Sequence, residues 1–349
     1  IAEGGADEFY AGETARRLAL EMAREGGLVT ASDLAGYRAI WRDPIRIEYR
    51  GCQVFSMPPP SSGGICLGQL LRLSERLDLG GEEPGSSALY HAMAECSKRV
   101  YADRSLHLGD PAFHDVPTGW LLSDERLGEI ARGLDRERAT PSRDVAPGQR
   151  PEGESEETTH FSIVDAEGNA VSCTYTLNAS FGAAVICPGT GLLLNDQMDD
   201  FAARPGTPNL YGLVGGDANA IAPGKRMLSS MSPTVVRKDG KNWLVLGSPG
   251  GSTIITTVFQ VLVSRIDHGL SLADAVALRR VHHQWLPDSI AIESNEVYGG
   301  DVLEGLRRRG HTLAPRRRIG RVHAIEIDPS SGLRLGVADP RGSGVAEGR

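Results

Sequence analysis

The sequence predicts an α+β fold in which antiparallel sheets are layered with helices. Three observations support this prediction: helical patterns come first, strand pairs with tight turns dominate the middle, and helical patterns return before a last hairpin. Strands that are joined by only a few residues pair antiparallel. The 349 residues are enough for one large domain or two smaller ones with a substantial core.

Helical periodicity appears in seven stretches. They are residues 11–25, 65–77, 87–103, 122–133, 252–267, 271–279 and 300–309. The first ends at Gly26-Gly27, which is a typical helix stop, and Thr30 and Asp33 follow it with the spacing of a capping box. The helix at 252–267 opens on Gly250-Gly251-Ser252.

Strand patterns pair in four places, each around a turn signal. The pairs are 45–49 with 53–55, 159–165 with 170–176, 234–237 with 243–246, and 323–327 with 333–337. Residues 191–194 are predicted to form a buried strand. Residues 58–64 are Pro- and Gly-rich, which excludes a helix or a central strand and predicts an ordered or exposed loop.

The composition of the chain argues against several classes of function. The net charge of -8 argues against a nucleic-acid partner, which would favour a basic face. No run is long enough to span a membrane. The five cysteines show no metal-ligand spacing, and the four in apolar surroundings are predicted to be buried free thiols: Cys66, Cys96, Cys173 and Cys187. The chain opens at Ile1 without a methionine, so we expect a fragment of a longer protein.

A change of composition at residues 137–157 predicts a mobile surface linker, rich in Arg, Pro, Gly and Glu. It ends at Glu157, and Thr158 begins the next strand pattern. Two threonines at the start of a strand usually reflect β-propensity alone. A cut before Thr158, however, would give it a free α-amine, which can act as a general base for its own hydroxyl. The same hydroxyl could first attack the Glu157 carbonyl, so no external protease would be required.

Other polar segments follow, at strand and helix ends. They are 174–178, 197–201, 229–233 and 247–251. A Gly-Gly turn before a helix can hold an oxyanion with its backbone N–H groups. Each segment taken alone is explained at least as well by strand-end threonines, helix caps or a tight glycine turn.

The order and spacing of these segments resemble one known family, the γ-glutamyltranspeptidases. The matching stretches are GADEFYAG, GGLVTASDLAGY, MPPPSSGGI, YADRSLHLGDP, TTHFSIVDAEGNAVSCTYTLN (158–178), NDQMDDF (195–201), PNLYGLVGGDANA (208–220), LSSMSPT (228–234), GSPGGS (247–252) and ADPRGSGVAEG. The resemblance covers essentially the whole chain.

The resemblance implies the N-terminal-nucleophile hydrolase fold, an αββα sandwich of two stacked antiparallel sheets between helix layers, with its N-terminal part missing here. Residues 1–157 would be the C-terminal portion of a large subunit, and residues 158–349 would be the small, catalytic subunit. Together they would form one structural domain. The precursors of the family cut themselves before the threonine, which implies a heterodimer made from one chain.

By position, the resemblance also implies catalytic roles. Thr158 would be the nucleophile, released by cleavage after Glu157, and Thr176 would hydrogen-bond to it. The amides of Gly250 and Gly251 would form the oxyanion hole. Tyr211 would belong to a lid loop.

Substrate-binding roles follow in the same way. Asn178, Gln197 and Asp200 would hold the amino-acid end of a γ-glutamyl group, with Asp200 pairing its α-ammonium. Ser229 and Ser230 would bind its α-carboxylate. This division suits a zwitterion, which needs a carboxylate at one end and donors at the other.

The implied reaction runs through a γ-glutamyl ester. Glutathione and other γ-glutamyl compounds would be the donors, and water or an amino acid or peptide amine the acceptor. The resemblance implies no metal and no other cofactor, and His282-His283 is predicted to be a surface or core pair. It also implies a periplasmic or secreted location.

Two alternatives stay open at this point. One is a related acylase that acts on a β-lactam side chain or on poly-γ-glutamate. The other is an inactive fragment with only a structural or binding role. The second arises because family members carry an upstream arginine that clamps the α-carboxylate, and that region lies outside this chain.

Overall fold

The structure, a computed structural model, describes residues 1–145, 158–294 and 298–348. Its helices, in chain order, are α1 Gly5–Ala11, α2 Glu13–Glu25, α3 Ala31–Gly36, α4 Gly63–Arg76, α5 Ser87–His107, α6 Thr118–Leu121, α7 Asp124–Arg132, α8 Ser142–Val145, α9 Thr253–Ile266, α10 Leu272–Ala277 and α11 Gly300–Arg308. Short 3-10 turns cover Leu79–Gly81, Gln197–Asp200 and Asp217–Asn219. None of the described helices is both long and apolar enough to cross a bilayer.

The strands are β1 Ile45–Tyr49, β2 Cys52–Ser56, β3 Thr159–Val164, β4 Ala170–Tyr175, β5 Ile186–Cys187, β6 Leu192–Leu193, β7 Thr234–Lys238, β8 Lys241–Gly247, β9 Val281–His282, β10 Ile290–Glu293, β11 Leu313–Arg316, β12 His323–Ile327 and β13 Arg334–Ala338. Six of them form an antiparallel sheet in the order β1-β2-β7-β8-β12-β13. β11-β10-β9 form a smaller mixed sheet, in which β10 and β11 run parallel.

The β3–β4 hairpin stacks on one face of the six-stranded sheet. The hydroxyl of Ser172 on β4 donates to the carbonyl of Leu246 on β8 at 2.9 Å. The hydroxyl of Ser162 on β3 donates to the carbonyl of His323 on β12 at 3.2 Å. α4 and α9 pack side by side and contact β1, β2 and β8 of the same sheet. The predicted α+β fold with stacked antiparallel sheets and flanking helices is therefore confirmed.

Local sequence signals account for most of these elements. Thr30 caps α3 as predicted, since its hydroxyl accepts from the Asp33 N–H and the Asp33 carboxylate accepts from the Thr30 N–H. All four predicted hairpins form, at β1–β2, β3–β4, β7–β8 and β12–β13. In each the turn residues set the register and the alternation sets the buried face.

Three expectations need correction. The strand predicted at 191–194 shrinks to β6, which pairs only with β5 and is half-buried. The loop predicted at 58–64 is ordered, but its last residues, Gly63 and Gly64, already belong to α4 and are buried. Cys173 is only partly buried, unlike the other three thiols predicted to be inside, although all of them are free.

The described part of the predicted linker, residues 137–145, is held to the protein at its centre. Lys98 on α5 donates to the carbonyl of Thr140, and the buried hydroxyl of Ser142 donates to Asp288 at 2.8 Å. Ser142 is therefore buried where a surface position was expected, because these polar contacts are not visible in local composition, and the mobility of the linker stays a prediction. Residues 146–157 lie outside the described residues.

Candidate active site

The predicted nucleophile lies just before β3. Thr158 is only 7% exposed, and its Oγ1 lies 3.3 Å from the Oγ1 of Thr176, the residue that follows β4. The antiparallel register explains this pairing, because Thr159 is opposite Tyr175 and the next residues outward also meet. Glu157, the other half of the predicted cleavage site, falls outside the described residues.

Thr176 also makes a hydrogen bond to the backbone that follows it. Its Oγ1 accepts the backbone N–H of Asn178 at 2.9 Å. In the contact between the two threonines, either hydroxyl can be the donor. A donor at this position stabilises negative charge on Thr158 Oγ1, which is what a hydroxyl nucleophile needs when it loses its proton.

A carboxylate wall lies beside the threonines. Asp200 ends the 3-10 turn Gln197–Asp200. Burial raises the pKa of the Asp200 carboxyl to about 7; the positive charge of Arg104 opposes this shift, while Asp199 and Asp196 add to it. Asp200 is therefore close to its titration point at neutral pH.

Asn178 approaches the same wall in a left-handed backbone conformation, with φ of 77°. Its side-chain amide donates to the carbonyl of Asp196 at 3.4 Å, which ties the end of β4 to the segment before Asp200. Gln197 lies on the same 3-10 turn as Asp200 but does not line the cavity described below.

The two predicted serines form the opposite wall, and the proline loop holds them in place. Ser229 N–H donates to the carbonyl of Pro60 at 2.9 Å, and Ser62 N–H donates to the carbonyl of Ser229 at 2.8 Å. The Ser62 hydroxyl reaches the same carbonyl at 2.7 Å. Ser230, the next residue, is buried. The Pro-rich loop thus holds the backbone of Ser229 in place. Its composition did not reveal this role, because the contact joins residues more than 160 positions apart.

The turn between β8 and α9 presents the predicted oxyanion donors. Gly250 and Gly251 have φ of 139° and 52°, conformations that favour glycine. The carbonyl of Gly250 accepts both the N–H and the hydroxyl of Thr253, at 2.9 and 2.8 Å. Within residues 1–145, 158–294 and 298–348, neither glycine N–H donates a hydrogen bond. Both N–H groups thus remain available for a ligand.

Tyr211 packs directly on this turn. A Cβ on Gly251 would lie 2.5 Å from Cε1 of the Tyr211 ring. The carbonyl of Tyr211 accepts from Gln284 at 2.7 Å, and its N–H donates to the side chain of Asn209 at 3.0 Å. The tyrosine is buried, and the lid role of its segment stays a prediction.

These groups meet around one small cavity of about 20 Å³. Its lining contains eight of the residues predicted from sequence: Thr158, Thr176, Asn178, Asp200, Tyr211, Ser229, Ser230 and Gly251. Leu213, Met231 and Ile254 add apolar surface. Gln197 and Gly250 were predicted for the same site and are not among the lining residues.

Sequence reasoning missed Arg104 and Ser62, which lie directly behind the serine wall. Arg104 is 4% exposed and donates to both Ser62 and Ser230, at 2.9 and 3.2 Å. Both residues lie in stretches that carried the family resemblance, yet neither received a role. The sequence places Arg104 directly after the predicted helix 87–103, and its burial within α5 became visible only in the structure.

The histidine pair lies elsewhere. His282 and His283 are both buried, and His282 Nδ1 lies 2.7 Å from the Thr256 hydroxyl. The core alternative of the surface-or-core prediction is the one observed. Among the described residues, no group of three or more His, Cys, Asp or Glu side chains is arranged to hold a metal ion.

Comparison with known proteins points to one family. A family model described as gamma-glutamyltranspeptidase matches residues 1–349. The chain is 51% identical over 341 residues to a glutathione hydrolase proenzyme of Escherichia coli, covering 98% of this chain and 58% of that protein. It is 49% identical to a glutathione hydrolase proenzyme of Pseudomonas aeruginosa, covering 99% and 62%. The chain therefore spans about three fifths of the length of these relatives.

Solved structures give the same picture. A cephalosporin acylase from Bacillus halodurans superposes with a TM-score of 0.83 at 28% identity, covering 98% of this chain and 59% of that one. A gamma-glutamyltranspeptidase chain from Pseudomonas nitroreducens, complexed with L-DON, has a TM-score of 0.53 at 52% identity and covers 55% of this chain and 100% of its own.

Proposed function

The chain belongs to the gamma-glutamyltranspeptidase family, and on that premise we propose that the full protein cleaves γ-glutamyl amides with Thr158 as the nucleophile. The observation that carries the proposal is the shared cavity, in which the Thr158–Thr176 hydroxyl pair faces a carboxylate wall and a serine wall. A γ-glutamyl group has an ammonium and a carboxylate on one carbon and the scissile amide at the far end. This cavity offers a complementary group for each.

The first step is cleavage of the precursor. The Thr158 hydroxyl attacks the Glu157 carbonyl, and the amide bond between the two residues breaks, which frees the Thr158 α-amine and leaves an ester. Hydrolysis of that ester frees the Glu157 carboxyl-terminus and the Thr158 hydroxyl. The two fragments remain associated as a large and a small subunit. Two of the most similar relatives carry the word proenzyme in their names, which supports this step.

The second step is transfer of the acyl group to the enzyme. The neutral α-amine of Thr158 accepts the hydroxyl proton as Oγ1 attacks the γ-carbonyl of the substrate. The N–H groups of Gly250 and Gly251 stabilise the tetrahedral oxyanion. Collapse breaks the amide bond, and the leaving amine takes the proton from the α-ammonium, which leaves a γ-glutamyl ester on Thr158.

The third step returns the free enzyme. Water, or the amine of an amino acid or peptide, loses a proton to the Thr158 α-amine and attacks the ester carbonyl. The ester bond breaks, Thr158 Oγ1 regains a proton, and glutamate or a new γ-glutamyl amide leaves. Asp200 and the Ser229–Ser230 pair hold the α-ammonium and the α-carboxylate throughout, which positions the γ-carbonyl.

Glutathione is the donor that we propose. Two of the most similar relatives are named glutathione hydrolases, and the polar walls suit a free α-amino acid. We further propose a periplasmic or secreted location, in keeping with the family. The second candidate is an acylase, because Acylase ACY 1 of Pseudomonas is 38% identical over 99% of this chain. The Asp200 wall favours the first candidate, since an acyl group without an ammonium leaves that carboxylate unpaired.

A substrate panel tests the proposal. The purified full-length product is assayed on γ-glutamyl anilide, on glutaryl anilide, which lacks the α-ammonium, and on poly-γ-glutamate. We expect cleavage of γ-glutamyl anilide by the wild type and its loss in Thr158→Ala. Preference for glutaryl anilide would favour the acylase alternative, and full turnover by Thr158→Ala would overturn the mechanism.

A further inference from the structure

Arg104 lies near the end of α5 with its guanidinium in the protein interior. Its Nε donates to Ser62 Oγ at 2.9 Å and its Nη2 donates to Ser230 Oγ at 3.2 Å. In the part of the chain that the structure describes, no carboxylate forms an ion pair with it. Arg280, which is equally buried, is instead paired with Asp339 at 2.7 Å.

An interior guanidinium without a counter-ion is unfavourable, because its charge loses hydration and gains no partner. Burial lowers the pKa of Arg104 from its usual value, and the negative charge of Asp200 opposes that effect. The buried guanidinium therefore creates a positive electrostatic potential around itself, which attracts an anion. The cavity beside Thr158 offers a space for one, since Ser230, which accepts from Arg104, lines it.

The direction of the hydrogen bonds shows how the potential reaches the cavity. A guanidinium can only donate, so Ser62 and Ser230 both accept from Arg104. The Ser62 hydroxyl donates a hydrogen bond to the carbonyl of Ser229 at 2.7 Å. The Ser230 hydroxyl has no acceptor within the described residues. Its proton is therefore available to an anion in the cavity, and donation from Arg104 makes it a stronger donor.

We propose that Arg104 is a positioning residue for the substrate α-carboxylate. It polarises the Ser230 hydroxyl that binds the carboxylate, and through Ser62 it fixes the backbone of Ser229. The carboxylate in turn supplies the counter-charge that the buried guanidinium lacks. This inference rests on the proposed γ-glutamyl specificity and assigns part of it to a residue that does not touch the substrate.

The test compares two donors on the full-length protein: γ-glutamyl anilide and 4-aminobutyryl anilide, which lacks only the α-carboxylate. Arg104→Met is expected to raise KM for γ-glutamyl anilide by roughly 10- to 100-fold, the range for a lost hydrogen bond to a charged group. Its kcat should change far less, because the carboxylate is bound equally in the ground and transition states. KM for 4-aminobutyryl anilide should stay within about 3-fold of wild type.

Two further variants separate positioning from support of the fold. Arg104→Lys keeps the positive charge but loses the pair of N–H donors that reach Ser62 and Ser230 together. It should show an intermediate rise in KM for γ-glutamyl anilide. Ser62→Ala should raise KM for the γ-glutamyl donor alone. Arg265→Met is the control, because Arg265 lies in the last turn of α9, at the end of the helix remote from the Gly250–Gly251 turn, and pairs there with Glu326. It should leave the ratio of the two KM values unchanged.

An equal change with both donors in the Arg104 variants would overturn the proposal, because it would indicate only structural support. If Arg104→Met yields no folded protein, Arg104→Lys and Ser62→Ala decide by the same ratio. Wild-type turnover of γ-glutamyl anilide is measured in parallel. Its absence would refute the proposed function itself, whereas its presence with an unchanged ratio would refute only the role of Arg104.

Discussion

At the scale of single residues, Asp200 carries a pH dependence. Its pKa is raised to about 7 by burial, so the carboxyl is protonated below that pH and ionised above it. Only the ionised form attracts the α-ammonium of a substrate. Affinity for a γ-glutamyl donor should therefore weaken as pH falls through about 7, because the attractive charge is lost.

The measurement is KM for γ-glutamyl anilide as a function of pH, between about pH 6 and pH 8. We expect KM to rise toward the acid side in the wild type. Asp200→Asn should give a KM roughly 10- to 100-fold higher, since a charged hydrogen bond is lost, and the rise attributed to Asp200 should vanish. The same acid-side rise in Asp200→Asn would contradict the assignment.

Arg104 and Ser62 show what residue patterns could not predict. Ser229, Ser230 and Asp200 could be predicted as substrate-binding residues because the order and spacing of their segments resemble those of the γ-glutamyltranspeptidases. Arg104 and Ser62 lie behind these residues and come into contact with them only when the chain folds, since Ser62 and Ser229 are 167 positions apart. No local pattern encodes that contact.

At the scale of elements, the turn from β8 to α9 positions the proposed oxyanion donors and provides the surface on which Tyr211 packs. Gly251→Ala would place a Cβ 2.5 Å from the Tyr211 ring, at a φ of 52°. We expect kcat/KM to fall by about 100-fold or more, the usual effect of losing an oxyanion donor. Steady-state kinetics on γ-glutamyl anilide would measure this.

Gly240→Ala is the matched control, because Gly240 also has a positive φ, of 76°, but a Cβ there would meet nothing within 4 Å. This substitution should lower the free energy of unfolding by about 1 kcal/mol, because alanine is strained in a left-handed backbone conformation. It should leave kcat/KM unchanged. Similar activity in the two variants would show that the Gly251 turn is not part of the site.

Elements were predictable where their signals were local. β1–β2 and β7–β8 form hairpins because alternating residues flank a turn, and α3 starts where Thr30 and Asp33 cap it. β6 was overestimated because the length of so short a strand depends on its partner β5. The loop at 58–64 was predicted to be ordered or exposed, and only the tertiary contact with Ser229 explains why it is ordered and largely buried.

At the scale of the whole molecule, an interior charge cluster joins α5 to the segment around Thr140, which precedes the proposed cleavage point in the chain. Glu95 accepts from Lys98 at 2.9 Å and from Arg99 at 2.7 Å. Arg99 also donates to the Thr140 hydroxyl at 2.9 Å. Burial opposes ionisation of Glu95, but Lys98 and Arg99 outweigh it and lower its pKa to about 2.

Loss of this carboxylate should weaken the protein. A lowered pKa means that the stabilisation is full above the unfolded value of 4.5 and is lost as pH falls toward 2. Glu95→Gln removes the carboxylate partner of Arg99 and leaves Lys98 with Asp288, at 3.4 Å, and it should cost about 3–5 kcal/mol at neutral pH. Thermal melting of the full-length protein should show a drop of more than about 5 °C.

Glu48→Gln serves as the control, since Glu48 forms an exposed pair with Arg46. Exposed pairs contribute about 1 kcal/mol or less, so its melting temperature should hardly change. A melting temperature for Glu95→Gln as high as that of Glu48→Gln would show that the cluster does not stabilise the fold.

The central claim, that Thr158 is the nucleophile, is tested most directly by mass spectrometry of the full-length protein quenched during turnover of γ-glutamyl anilide. We predict two fragments, the smaller of which begins at Thr158, and a population of the smaller fragment that carries one γ-glutamyl group on that threonine. An uncut chain that still turns over the donor, or a γ-glutamyl group on any other residue, would contradict the account.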